Sequence, residues 1–131
     1  MTDLLRIHPE VRAALESRRP VVALETTLVA HGFPGGVEEF RALLARIRPQ
    51  IVFANAEEAE LVGEIETETL VVKRGADGIL VGGASFEARP VDVIDTTGAG
   101  DALAAGFLLG GPELGLDAAA RCVATMGAFP Q

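Results

Sequence analysis

Apolar residues recur along this chain with two different periods, and the changes of period mark out its elements. Between Pro9 and Arg18, Val11, Ala14 and Leu15 stand at helical spacing, with a proline suited to a first turn and arginines at the far end. VVALETTLVA, residues 21–30, predicts a strand, and HGFPGG after it is turn material. Phe40, Leu43, Leu44 and Ile47 share one face of a helix expected over roughly residues 37–47, which Pro49 stops. IVFAN (residues 51–55) predicts a short buried strand, and EEAELVG (57–63) a helix closed by its glycine. TLVVKRG is the next strand, ADG (76–78) a turn, and ILVGG with SFEARPVDVI a series of short strands. Two helices are expected last, from Gly98 to Leu109 and from Leu116 to Met126. Strands alternating with helices around a hairpin-like insert predict an α/β layered fold with a largely parallel sheet flanked by helices.

Composition narrows the classes of function. The 131 residues are 49% apolar, ample for one packed domain, and carry a formal net charge of −8. Basic residues gather only as pairs such as Arg18-Arg19 and Lys73-Arg74, so neither nucleic acid nor an anionic membrane is an expected partner. A small phosphorylated ligand is still compatible, because a helix N-terminus attracts anions locally. MTDLLRIHPE lacks a basic region followed by an apolar core, and the run from Ala102 to Gly111 is too short to span a bilayer. A cytoplasmic protein is therefore expected. The single cysteine, Cys122, has no Cys or His at metal spacing and reads as a small buried hydrophobe on a helix. No repeat or low-complexity tract occurs, and the glycine-rich stretch from Gly32 to Gly36 is the candidate boundary.

Three stretches after residue 50 carry candidate chemistry, each where a strand ends, as ligands do in open α/β sheets. In NAEE, Asn55 and Glu58 leave a strand end three residues apart, although a carboxylate in a first helical turn also suits the helix dipole. KRGADG, Lys73 to Gly78, is a glycine-bearing turn that a plain hairpin would equally use. DTTGAGD, residues 95–101, is more specific. Gly98, Ala99 and Gly100 leave bare amides in the first turn of a helix, the build of an anion site. The next glycine, Gly106, breaks the dinucleotide spacing, and no Lys-Ser/Thr pair follows as in a Walker loop. A carboxylate at the mouth of such a site, Asp101, is unfavourable unless it acts on a substrate, for example by taking a hydroxyl proton while the amides hold transferring phosphoryl oxygens.

RALLARIRPQIVFANAEEAELVG, TLVVKRGADGILV and DTTGAGDALAAGFLLG together resemble the C-terminal half of the PfkB carbohydrate kinases, the ribokinase-like family. The similarity runs from about Val37 to the end. It implies a partial ribokinase-like three-layer sandwich and ATP-dependent phosphoryl transfer to a sugar or nucleoside hydroxyl. The family's GAGD aspartate is its catalytic base, which implies Asp101, and the amides before it form the anion hole, which implies Gly98, Ala99 and Gly100. The NxxE pair, here Asn55 and Glu58, acts indirectly on Mg²⁺ and phosphate. Lys73, Gly75 and Gly78 match the border of the ATP site, and Asp95 with Thr97 matches a position where many members hold a monovalent cation such as K⁺.

HPEVRAALESRRPVVALETTLVAHGFP, in contrast, is similar to the opening of pseudouridine-5'-phosphate glycosidases. That similarity implies that Glu25 takes the place of an acid/base glutamate, a role that burial within an apolar strand would suit by raising its pKa. Alternation along a strand allows Glu25 to face solvent instead. His31, beside Gly32 and Pro34, reads as a turn residue. The two resemblances divide the chain into residues 1–36, glycosidase-like, and 37–131, kinase-like, in the order found in fusions of the two pseudouridine enzymes. They imply a kinase part without its substrate-binding half. The lysine that glycosidases use covalently is also lacking, the one lysine being Lys73 in kinase-like sequence. The competing expectation is a non-catalytic nucleotide-binding remnant of such a fusion, its sheet edge covered by self-association into a homo-oligomer.

Overall fold

The computed structural model describes residues 9–19, 22–23 and 35–127. Helix α1 (Pro9–Glu16) precedes a two-residue strand β1 (Val22–Ala23). Glu25 and His31 lie outside the described residues, as does the rest of the strand expected there.

Helix α2 (Gly36–Ile47) turns Phe40 and Leu44 inward, one helical turn apart, and ends where Arg48 takes a left-handed conformation (φ 50°) and donates its N–H to the Leu44 carbonyl. Strand β2 (Ile51–Asn55) runs directly into helix α3 (Ala56–Val62), whose C-cap is Gly63. Strand β3 (Thr69–Lys73) is followed by a 3₁₀ turn (Gly75–Asp77) and strand β4 (Ile79–Val81). Gly82 and Gly83, both with positive φ, make the two-residue loop to strand β5 (Ala84–Phe86).

The five strands lie in chain order. β1, β2 and β3 pair in parallel, and β4 and β5 continue the sheet antiparallel, so the hairpin-like insert is its far edge. Adjacent residues of β2 serve opposite faces. Val52 packs with Phe40, Leu44 and Val62 beneath α2 and α3. Phe53 and Val71 pack with Ile79, Leu103, Ala104 and Leu116 on the other face. Two buried faces account for β2 being an unbroken apolar run. Helices on both sides of a mixed sheet give the three-layer α/β arrangement expected from the resemblance.

The last element, α4 (Ala99–Val123), differs from expectation at its centre. Gly110 and Gly111 leave helical geometry, and a second arm starts at Pro112 rather than near Leu116. Proline fits a first helical turn, so the Gly-Gly-Pro sequence is a bend and a restart, not a loop. The arms touch through glycines. A Cβ on Gly106 would stand 2.6 Å from the Leu114 carbonyl oxygen, and one on Gly115 would stand 2.9 Å from that of Leu103. The first arm also lays Phe107 edge-on against Phe53, with ring centres 5.5 Å apart.

PVDVI does not form the strand expected of it. Residues 87–94 run without regular structure, with Val93 and Ile94 about 60% exposed. They are held by Arg89, which bridges Glu113 and Asp117 on the second arm, and by the Ile94 N–H on the Val123 carbonyl (2.7 Å). Their neighbour is thus a helix end, which offers a single carbonyl and no ladder for a strand.

Gly106→Ala is expected to destabilise the chain by about 1–3 kcal/mol, as overpacking of a tight contact does, measured by urea unfolding. Unchanged stability would contradict the close contact of the arms.

Candidate active site

The parallel register sets Asn55, the last residue of β2, opposite Lys73, the last of β3. At the start of α3, Asn55 and Glu58 close a reciprocal capping box. Asn55 Oδ1 accepts the Glu58 N–H (2.7 Å), and Glu58 Oε2 accepts the Asn55 N–H (2.8 Å). Glu58 is only 3% exposed. The three-residue spacing read from the sequence is therefore first of all a helix start, and its polar groups stand at the strand ends beside Lys73.

The N-terminus of α4 reaches the same corner. A Cβ on Gly100 would be 3.1 Å from Lys73 Nζ, so the ammonium occupies the space that a side chain would need. Gly100 has ordinary backbone geometry, and glycine is required here for room rather than for conformation. Among the described residues Lys73 has no ion pair or hydrogen bond. Arg74 is turned away, with Nη2 donating to the Asp77 carbonyl (3.0 Å) and to Ser85 Oγ (2.6 Å).

Of the three amides named from the sequence, that of Ala99 donates to the Thr96 carbonyl (3.2 Å). The Gly100 N–H finds no acceptor among the described residues, nor does that of Asp101, which the sequence reading had not included. Gly98 is the left-handed N-cap (φ 79°) that turns the chain into the helix. Two open amides, the positive end of a helix and an unpaired ammonium converge on one spot, which therefore favours an anion. Asp101, in the first turn, has an exposed side chain.

Gly75 and Gly78 part company. Gly78 is buried (φ 84°), and a Cβ there would lie 1.9 Å from the Phe86 carbonyl oxygen, so packing against the β5 exit requires glycine. Gly75 (φ 58°) is exposed, with open space around it. Surface hollows of about 320 and 450 Å³, lined by Arg41, Leu44, Gln50 and Glu66, lie by the starts of β2 and β3, away from this corner.

Asp95 and Thr97 form the turn leading to Gly98. Asp95 Oδ1 accepts the Thr97 N–H and Oδ2 accepts the Gly127 N–H, both at 2.9 Å. The buried Cys122 thiol donates to the Thr97 carbonyl (3.3 Å). Each Asp95 oxygen already accepts a backbone N–H and the Thr97 carbonyl a thiol hydrogen, so the chain itself satisfies the groups that a monovalent cation would use.

A lysine and a helix N-terminus thus meet at the ends of parallel strands in an α/β fold. Residues 37–129 match the pfkB family carbohydrate kinases, and the chain belongs to that family. Among solved structures, a probable sugar kinase from Rhizobium etli superposes with a TM-score of 0.76 at 25% identity, over 92% of this chain and 44% of that one. Aminoimidazole riboside kinase from Salmonella enterica, solved with aminoimidazole riboside and an ATP analog, gives a TM-score of 0.67 at 26% identity, over 90% and 50%. Over 50 residues the chain is also 54% identical to the pseudouridine-5'-phosphate glycosidase of Rhodospirillum centenum, covering 37% of this chain and 16% of that protein. Both expected resemblances are thus found. The chain spans half or less of the length of these kinases and far less of the glycosidase. No helix among the described residues is long and apolar enough to cross a membrane.

Hydrogen bonds from the Thr97 side chain, then from the Thr97 and Gly127 N–H groups, hold the Asp95 carboxyl below its usual 3.8. A carboxyl lowered on folding stabilises the fold fully above its unfolded pKa, and the contribution is lost as pH falls through the folded value. Asp95→Asn is expected to lower the Tm at neutral pH and to leave it unchanged in strong acid, measured by thermal unfolding across a pH series. An equal loss at every pH would contradict the assignment.

Proposed function

We propose that this chain carries the phosphoryl-transfer corner of an ATP-dependent carbohydrate or nucleoside kinase, with pseudouridine as a candidate acceptor. Residues 37–131 form the kinase-like part and residues 1–36 the glycosidase-like part. The observation that carries the reading is the Lys73 ammonium set against Gly100, beside the amides of Gly100 and Asp101, none of which has a partner among the described residues.

In this reading the Asp101 carboxylate accepts the proton of the acceptor hydroxyl as its oxygen bonds to the γ-phosphorus and the bond to the departing ADP breaks. The Gly100 and Asp101 amides and Lys73 balance the charge on the transferring oxygens, fixed in place before reaction. Mg²⁺ would arrive with the nucleotide and neutralise its phosphate oxygens. Among the described residues no group of three His, Cys, Asp or Glu side chains could hold a metal, and Asn55 and Glu58, engaged in their cap, would act on it through water. A cytoplasmic location, where ATP is available, belongs to the same reading.

A second reading has support of its own. It is a self-associating, non-catalytic nucleotide-binding piece of a fused pseudouridine glycosidase and kinase, in which a second copy would cover the open sheet edge at β5.

Transfer from ATP to pseudouridine or ribose separates the two. Asp101→Asn is expected to lower the rate by about 100-fold or more while nucleotide affinity stays within about threefold, the pattern of a lost general base. Lys73→Met is expected to weaken Mg·ADP binding about tenfold in calorimetry, as the loss of one charge-assisted hydrogen bond would. Binding without transfer would favour the second reading, and absence of nucleotide binding would overturn both.

A further inference from the structure

We propose that the turn bearing the phosphate-facing amides is locked by the chain itself through Asp95, and that it keeps its shape and its anion affinity without a monovalent cation. The proposal rests on the reading above for what the turn binds, and on the following geometry for how the turn is held.

Residues 94–97 are joined to the end of the second α4 arm and the residues just after it by four hydrogen bonds, and one more closes the turn on itself. The Ile94 and Asp95 N–H groups share the Val123 carbonyl (2.7 and 3.2 Å). Asp95 uses one oxygen for the Thr97 N–H and the other for the Gly127 N–H. The fourth bond to the arm runs from the Cys122 thiol to the Thr97 carbonyl. A cation at the position implied by the resemblance would need the Asp95 carboxylate and Thr97 oxygens. The positive ends of two N–H groups already point at the first, and a thiol hydrogen points at the second. A cation seated there would share those oxygens with donors whose positive ends face it, and would weaken the Gly127 N–H bond that holds residues 123–127 to the turn.

Gly98 and the helix start follow immediately, so the direction of the Gly100 and Asp101 amides is set by how residues 95–97 are anchored. Asp95 is thus a positioning residue. It reaches the substrate side only through those amides, and its bonds to the Thr97 and Gly127 N–H groups do what an ion would otherwise do.

Three measurements on the full chain test this. A ligand of the native state raises the Tm by mass action, so the Tm is expected to agree within about 1 °C in KCl, NaCl and tetramethylammonium chloride of equal ionic strength. A rise selective for K⁺ overturns the proposal. In K⁺-free buffer the Thr97 and Gly127 amides are expected to exchange slowly by NMR. They should both lose protection in Asp95→Ala, whereas Asp95→Asn, with a single acceptor oxygen, should restore one of them. Unchanged protection in Asp95→Ala overturns the proposal. If that variant does not fold, Asp95→Asn and Cys122→Ala carry the same comparison. Finally, Mg·ADP affinity is expected to fall several-fold in Asp95→Ala and to change by less than about twofold between K⁺ and tetramethylammonium, well under the roughly tenfold that 1.4 kcal/mol of coupling would give. K⁺-dependent affinity in the unaltered chain would overturn it. If the nucleotide does not bind at all, the functional reading fails, while melting and amide exchange still decide the lock.

Discussion

Everything at the candidate site depends on the approach of Lys73 to Gly100. An ammonium can stand there only because the helix start has no side chain at that position, and among the described residues no carboxylate pairs with it. The contact is fixed from two directions. The β2–β3 register sets the height of Lys73 on the sheet, and Phe53, Val71 and Leu103 in one shared core set the height of α4 above it. The site is therefore a by-product of core packing, in which an apolar interface decides the spacing of two charged ends.

Much of this was legible in the sequence where one physical signal acted alone. The stripe of Phe40 and Leu44 and the apolar run of IVFAN gave α2 and β2 nearly to the residue, because burial on one face or on two leaves distinct patterns. The pattern misled where local and tertiary signals competed. The second of the last two helices, expected from Leu116, starts instead right after Gly110-Gly111, because glycines at 106 and 115 let two helical arms close on each other. PVDVI had the alternation of a strand but lies where no strand partners it among the described residues.

The site divides in the same way. Gly100 and Lys73 were named from motif and stand side by side, although nothing in the sequence measures the gap between residues 73 and 100. Gly78 was named with them, and its packing against the β5 exit requires glycine. The Asp101 amide, the Gly127 amide and the Cys122 thiol had no sequence signal, since a main-chain donor is the same at every residue and a buried cysteine resembles any small apolar side chain.

The chain from Asp95 to Gly127 leaves the candidate site along one arm, turns at Gly110-Gly111 and comes back to bond to its own beginning. Continuity of the backbone is therefore least needed at that turn. Two peptides meeting there would still be joined by the glycine contact of the arms and by the bonds at Asp95. A circular permutant opened between Gly110 and Gly111 would place both of its new ends at the far tip of the hairpin from the phosphate corner.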